Sequence, residues 1–199
     1  TAPDVFALGG AKPQEYGGNG ALLDLSTVAE TVQLDKYEDF TLTNATVDGT
    51  VYGLPTGGNA IGVLINTTIF EQAGVPLPDD DWTWDDFIDA ANDISANTPS
   101  GVYGLDLRIQ DILGTYVAQI DKDGMYTWDG ELGARQSTIE SWFEIEKELL
   151  AGGGLPEPSI IVENQNLTPD QTLFGTGRAG ITFAYSNQIG AYAAGAGGD

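Results

Sequence analysis

Ala60-Ile61-Gly62-Val63-Leu64-Ile65 runs directly into Asn66-Thr67-Thr68-Ile69-Phe70-Glu71-Gln72-Ala73-Gly74. The first six residues carry no polar side chain, which predicts a strand buried on both faces. The next stretch predicts a short helix over 69–73, capped by Thr67 or Thr68 and stopped by Gly74. Val75 then supplies the apolar residue that a Schellman ending needs. A strand passing straight into a helix is half of a βα unit, and the alternation recurs on both sides of it.

Toward the C-terminus, Thr83 with Asp86 three residues later makes a capping-box-like pair. Trp84, Phe87, Ile88 and Ala91 come after it at helical spacing, so one face of that helix is expected to be buried. Residues 101–105 read as a short strand. Residues 108–120 read as a helix with Ile109, Ile112, Leu113, Tyr116 and Ile120 on one side. Residues 121–129 are rich in turn formers, and 136–150 form the clearest helix, with Ile139, Trp142, Phe143, Leu149 and Leu150 as its apolar stripe. Thr168-Pro169-Asp170-Gln171 reads as a helix start with Thr168 as cap. Leu173 and Phe174 are expected to pack inward, and 179–183 to form a strand. Toward the N-terminus, Asp48-Gly49 predicts a tight hairpin, which Pro55 should leave because it has no amide proton. Asp24 and Ser26 are cap candidates for a helix to about residue 31, and 4–8 reads as a buried parallel strand. Together these elements predict an α/β layered fold with helices on both faces of the sheet.

Composition narrows the chemistry. Seven Lys plus Arg face thirty Asp plus Glu in 199 residues, a formal net charge of −23. Such a surface repels phosphate backbones and anionic headgroups, so no nucleic-acid partner is expected. The acidity itself reads first as solubility, and second as a match to a salty medium. The sequence has no Cys and no His. Disulfides, thiolate metal sites and the Ser–His and Cys–His forms of nucleophilic catalysis are thereby absent from it. Carboxylate-only chemistry, such as a glycosidase pair, remains open, but no local pattern singles out two carboxylates for it. Asp121-Lys122-Asp123-Gly124 hints at a calcium loop, but the EF-hand ligand positions fail and a plain turn is the better reading. The longest apolar run, 60–65, is far short of a membrane span. No signal peptide is visible at Thr1, and the glycine-rich run 195–199 has no closing element. Both ends read as cut, so the chain is expected to be a piece of a longer protein.

Several segments, in order, resemble the solute-binding proteins that serve carbohydrate ABC importers, the family 1 proteins related to maltose-binding protein. They are Pro3-Asp4-Val5-Phe6, Gly20-Ala21-Leu22-Leu23-Asp24-Leu25, Asp48-Gly49-Thr50-Val51-Tyr52-Gly53-Leu54-Pro55 and Leu64-Ile65-Asn66 with Ile69-Phe70. After them come Ala73-Gly74-Val75-Pro76, Thr83-Trp84-Asp85-Asp86-Phe87, Gly101-Val102-Tyr103-Gly104 and Phe174-Gly175-Thr176-Gly177-Arg178-Ala179-Gly180-Ile181. No one of these is specific, whereas the ordered series covers nearly the whole chain. The resemblance implies two α/β lobes joined by a hinge, with ligand held in the cleft between them. It assigns 1–58 to a partial first lobe leading to the hinge and 59–199 to a second, nearly complete lobe. It also implies a binding protein without catalysis or cofactor, extracytoplasmic, periplasmic or lipid-anchored, monomeric, and handing a carbohydrate to permease subunits. A non-sugar ligand on the same scaffold is the alternative.

In open α/β sheets ligands sit beyond the carboxyl ends of strands, and sugars call for planar polar groups with an aromatic face. The resemblance places ligand contacts at Asn59, before the apolar strand, at Asp106, Arg108, Gln110 and Asp111, after the 101–105 strand, and at Tyr185, Asn187 and Gln188, after the 179–183 strand. The plainer alternatives are a locally satisfied Asn59, an Asp–Arg surface pair and a helix start capped by Ser186. Gly9, Gly10, Gln14 and Tyr16 read as loop chemistry, and Trp84, Trp142 and Phe143 as core. Trp82 and Trp128 are less fixed by periodicity. No residue is assigned a catalytic or metal-binding role.

Overall fold

The computed structural model describes residues 3–9, 12–106, 109–127 and 131–196, with the backbone alone for 109–111. The chain divides into two compact units, Thr1–Gly58 and Asn59–Asp199.

The first unit is small. Helix α1 (Lys12–Gly18) is followed by a 3-10 turn at Leu25–Val28, helix α2 (Ala29–Val32) and helix α3 (Asp39–Leu42). The hairpin of β1 (Thr46–Val47) and β2 (Thr50–Val51) then pairs Val47 with Thr50. Its turn residues Asp48 and Gly49 have φ of 49° and 80°, the left-handed pair that a two-residue hairpin loop demands. Asp24 caps as expected, its carboxylate accepting the Ser26 amide at 2.8 Å. The expected strand over 4–8 is not formed. Val5 is 91% exposed, and no ladder partner stands beside it among the described residues. An apolar run becomes a strand only where a neighbour supplies hydrogen bonds.

The second unit holds the sheet. It comprises β3 (Ile61–Ile65), α4 (Thr67–Ala73), α5 (Trp84–Asn97), β4 (Tyr103–Asp106), α6 (Ile109–Ile120), α7 (Gln136–Gly152), α8 (Pro158–Gln165), β5 (Ala179–Tyr185) and α9 (Ile189–Gly195). The strand order is β3-β5-β4, with β3 antiparallel and β4 parallel to β5. Alternate residues of β3 and β5 enter opposite layers. Ile65, Ile181 and Phe183 join the larger core with α4 to α7, while Leu64 and Ala184 join a smaller one with Leu173, Phe174 and Tyr192. Trp84 is the hub of the larger core, its ring meeting Phe87, Tyr116, Trp142 and Phe183. At Gly104 a methyl group would lie 1.9 Å from the Ala91 carbonyl oxygen, so only glycine lets α5 sit this close to β4.

Local hydrogen bonding explains several boundaries. Thr83 and Asp86 form a full capping box at the start of α5. Gly74 and Val75 donate to Glu71 and Phe70 carbonyls, closing α4 in a Schellman motif. The α4 cap is Asn66, not Thr67 or Thr68, its side-chain oxygen accepting the Ile69 amide at 3.1 Å. Thr168 makes no side-chain cap, and Pro169–Gln171 after it is only a 3-10 turn rather than the start of a helix. Helix α8 is not announced by the apolar pattern, although Pro158 at its first turn is a favourable start.

Three burial expectations are corrected. β3 is one of the two edge strands and leaves Gly62 and Val63 exposed, so it is not buried on both faces. On α7 the buried line is Thr138, Trp142, Ile145 and Leu149. Phe143, 50% exposed, and Leu150 lie roughly 100–140° round the helix from that line at about 100° per residue. Ile120, the last residue of α6, is exposed, and Val117 is buried instead.

Candidate functional site

Sheet polarity gathers three chain segments at one end. β4 and β5 run parallel, so the carboxyl ends of both point the same way, and the amino end of antiparallel β3 joins them. The pairing extends past the strands, because the Ser186 amide donates to the Ala60 carbonyl at 2.8 Å and the Ala60 amide to Ser186 Oγ at 3.3 Å. Asn59 is therefore held next to the turn that carries Tyr185, Asn187 and Gln188. Ser186 thus ties two strand ends together; the 3-10 turn Ser186–Gln188 is closed by Gln188, whose side-chain oxygen accepts the Tyr185 amide at 3.0 Å.

A hollow of about 60 Å³ opens at this end, lined by Ile61, Ile112, Phe183, Ala184, Tyr185, Gln188 and Tyr192. Ile61, Ile112 and Phe183 line it together with the polar groups of Tyr185, Gln188 and Tyr192, and the Phe183 ring stacks on Trp84. Its rim is amphipathic. Tyr185 is 41% exposed, and Asn59 and Asn187 are exposed. An aromatic face beside amide groups can pack on the C–H side of a polyol ring while donating to and accepting from its hydroxyls. Sequence reasoning missed Ile61, Ile112, Phe183, Ala184 and Tyr192. The register Ile61↔Tyr185 would have found the first, had the antiparallel pairing been readable.

Asp106 occupies the same end of the sheet but faces inward. It is 2% exposed, and its carboxylate accepts the Asn164 amide group and, at 3.0 Å, the Phe174 N–H. Its carbonyl accepts the Thr182 hydroxyl at 2.9 Å. Asp106, expected among the ligand contacts, is thus placed as an internal brace between β4, β5, α8 and the 172–175 turn. Arg108 lies outside the described residues, as do the side chains of Gln110 and Asp111, and Trp128 and Gly10. In the first unit, Gln14 donates to the Asn44 carbonyl at 2.8 Å.

Three carboxyl groups away from the hollow depart from their ordinary ionisation: Asp86, lowered by hydrogen bonds from the Thr83 side chain and backbone, and Asp121 and Glu146. Asp121 is held below the usual carboxylate range, first by the Arg135 backbone N–H and with smaller help from its side chain and Thr138, against the opposing effect of burial. Burial pushes Glu146 up, partly offset by the indole N–H of Trp142. None of the three lines the hollow. Among the described residues no cluster of acidic side chains is arranged to hold a metal ion.

The profile of the bacterial extracellular solute-binding proteins matches residues 1–198. The chain belongs to that family. Among its relatives, a lactose-binding protein of Rhizobium radiobacter is 28% identical over 111 residues, 53% of this chain and 25% of that protein. An ABC substrate-binding protein of Listeria monocytogenes, solved with cycloalternan, superposes with a TM-score of 0.74 at 20% identity, covering 90% of this chain and 46% of that one. A chitin oligosaccharide binding protein superposes at 0.67 with 27% identity, covering 90% and 45%. The fold is thus that of the extracellular solute-binding proteins, and the chain spans less than half the length of the solved structures it matches. Among the described residues no helix is long and apolar enough to cross a membrane.

Proposed function

We propose that the protein containing this family member is the substrate-binding component of an ABC importer. It captures a sugar or oligosaccharide outside the cytoplasmic membrane and hands it to the permease without catalysis. The observation that carries the reading is the amphipathic group of Asn59, Tyr185, Asn187 and Gln188 at the carboxyl end of the sheet, at a hollow with both polar and apolar lining. Arg108, Gln110 and Asp111, which follow β4 in the sequence, complete the proposed contact set. The lactose-, cycloalternan- and chitin-oligosaccharide-binding relatives favour a carbohydrate ligand. In the full-length protein, ligand would favour a closed arrangement of two lobes, a population shift driven by differential affinity. The full-length protein acts as an extracytoplasmic monomer.

The test is a melting-temperature screen of the full-length protein against neutral mono- and oligosaccharides, polyols and uronic-acid oligomers. At about a hundredfold excess over Kd, a ligand binding only the native state adds about 2.7 kcal/mol, a rise of several degrees. A response to peptides, polyamines or metal chelates, with none to sugars, would move the ligand to another class. Release of reducing ends would mean an enzyme.

A further inference from the structure

The two helices that carry the larger core also carry a repeated charge. On α5, Asp85, Asp89 and Asp93 stand one turn apart, and on α7 so do Glu140, Glu144 and Glu148. All six are exposed. Lys147, paired with Glu144, is the only basic residue on either helix. The opposite faces are fixed by burial of Phe87, Ile88, Ala91 and Ile94 on α5 and of Trp142, Ile145 and Leu149 on α7, so both acidic rows are held in the helical spacing for as long as the core is formed. Relief from elsewhere is scarce. The chain has seven basic residues, and Lys12 and Arg135 are also engaged in ion pairs, with Glu15 and Asp121.

Residues four apart on a helix have their Cβ atoms about 5–6 Å apart, and like charges there oppose the helix. In an extended chain the same residues are roughly 13 Å apart, so the repulsion belongs mainly to the folded state. The screening length falls from about 10 Å at 0.1 M salt to about 3 Å at 1 M, crossing the ladder spacing between those limits. We propose that these two acidic ladders make ionic strength a built-in stabiliser of the fold, acting by general screening and not through a bound cation.

The experiment tracks the melting temperature of the full-length protein between roughly 0.1 M and roughly 1 M NaCl, KCl and choline chloride. The parent should gain about 5 °C with each salt. A D89N/D93N/E140Q/E148Q variant, which leaves the Glu144–Lys147 pair intact, should lose at least half of that gain and melt higher at low salt. The separate D89N/D93N and E140Q/E148Q variants should each lose part of it, which keeps the test open should the fourfold variant fold poorly. A D80N/D81N/D123N/E131Q control removes as many acids from loops and should keep the parent's slope. An unchanged slope in the ladder variants, an equal flattening in the loop control, or a response to one cation only would each overturn the proposal.

Discussion

Two clusters of polar residues lie at the same end of one sheet and are built for opposite purposes. Asp106, Asn164, Thr172 and Thr182 are buried, and their side chains are bonded to one another or to backbone groups of the same unit. Asn59, Tyr185 and Asn187 stand exposed at the rim beside half-buried Gln188, whose side-chain oxygen accepts the Tyr185 amide and fixes the turn. The difference teaches that strand-end position alone does not make a ligand contact. A polar residue with internal partners organises the end of the sheet, and one held only through its backbone is left able to recognise something else.

The sharpest way to break the comparison is Asp106→Ala. It orphans the Asn164 amide and the Phe174 N–H inside the protein and should cost about 3 kcal/mol, read as a lower urea midpoint. Were the loss below about 1 kcal/mol while sugar affinity vanished, Asp106 would belong with the rim. Gly104→Ala comes next. Its methyl group would be driven into the Ala91 carbonyl, and separating β4 from α5 should cost about 2 kcal/mol, with the residual affinity of the folded fraction unchanged. Tyr185→Ala should do the reverse. Stability should stay within about 0.5 kcal/mol, while carbohydrate affinity measured by calorimetry falls about tenfold, or about 1.4 kcal/mol. A drop in stability like that of Asp106→Ala would make the tyrosine a structural residue.

The same contrast explains what could be read before any coordinates. The Thr83–Asp86 box, the Asp48-Gly49 turn and the Gly74-Val75 ending depend on hydrogen bonds among residues a few positions apart, so sequence spacing carries them fully. The identity of the strands over 61–65, 103–106 and 179–185 was legible for the same local reason. Which strand lies at the centre was not, because that depends on pairing with Ala179–Tyr185 far along the chain, and Val63 looks no different in sequence from a central residue. Phe143 and Ile145 on α7 are equally apolar, and only the packing of α5 and α6 against that helix decides which is buried. The inward placement of Asp106 was hidden for a similar reason. Its position after a strand was legible, but the Asn164 that turns it inward comes from α8, a helix the apolar pattern did not reveal.

Asp121 lies between the two kinds of residue and gives the smallest and most discriminating test. Its side chain is 4% exposed, like Asp106, but its cationic partner Arg135 is 64% exposed, like the rim. The carboxyl titrates below its ordinary value, so its contribution to stability is present above the unfolded value near pH 4 and is lost as pH falls through the lower folded one. The largest cause is the Arg135 backbone N–H, which survives any substitution of that side chain. Arg135→Met should therefore leave most of the acid limb of a stability–pH curve in place, since an ion pair with so exposed a partner is heavily screened. Asp121→Asn, by contrast, should flatten that limb. If the two variants flattened it equally, the guanidinium rather than the backbone would be holding the carboxylate, and the exposed half of the pair would matter as much as the buried half.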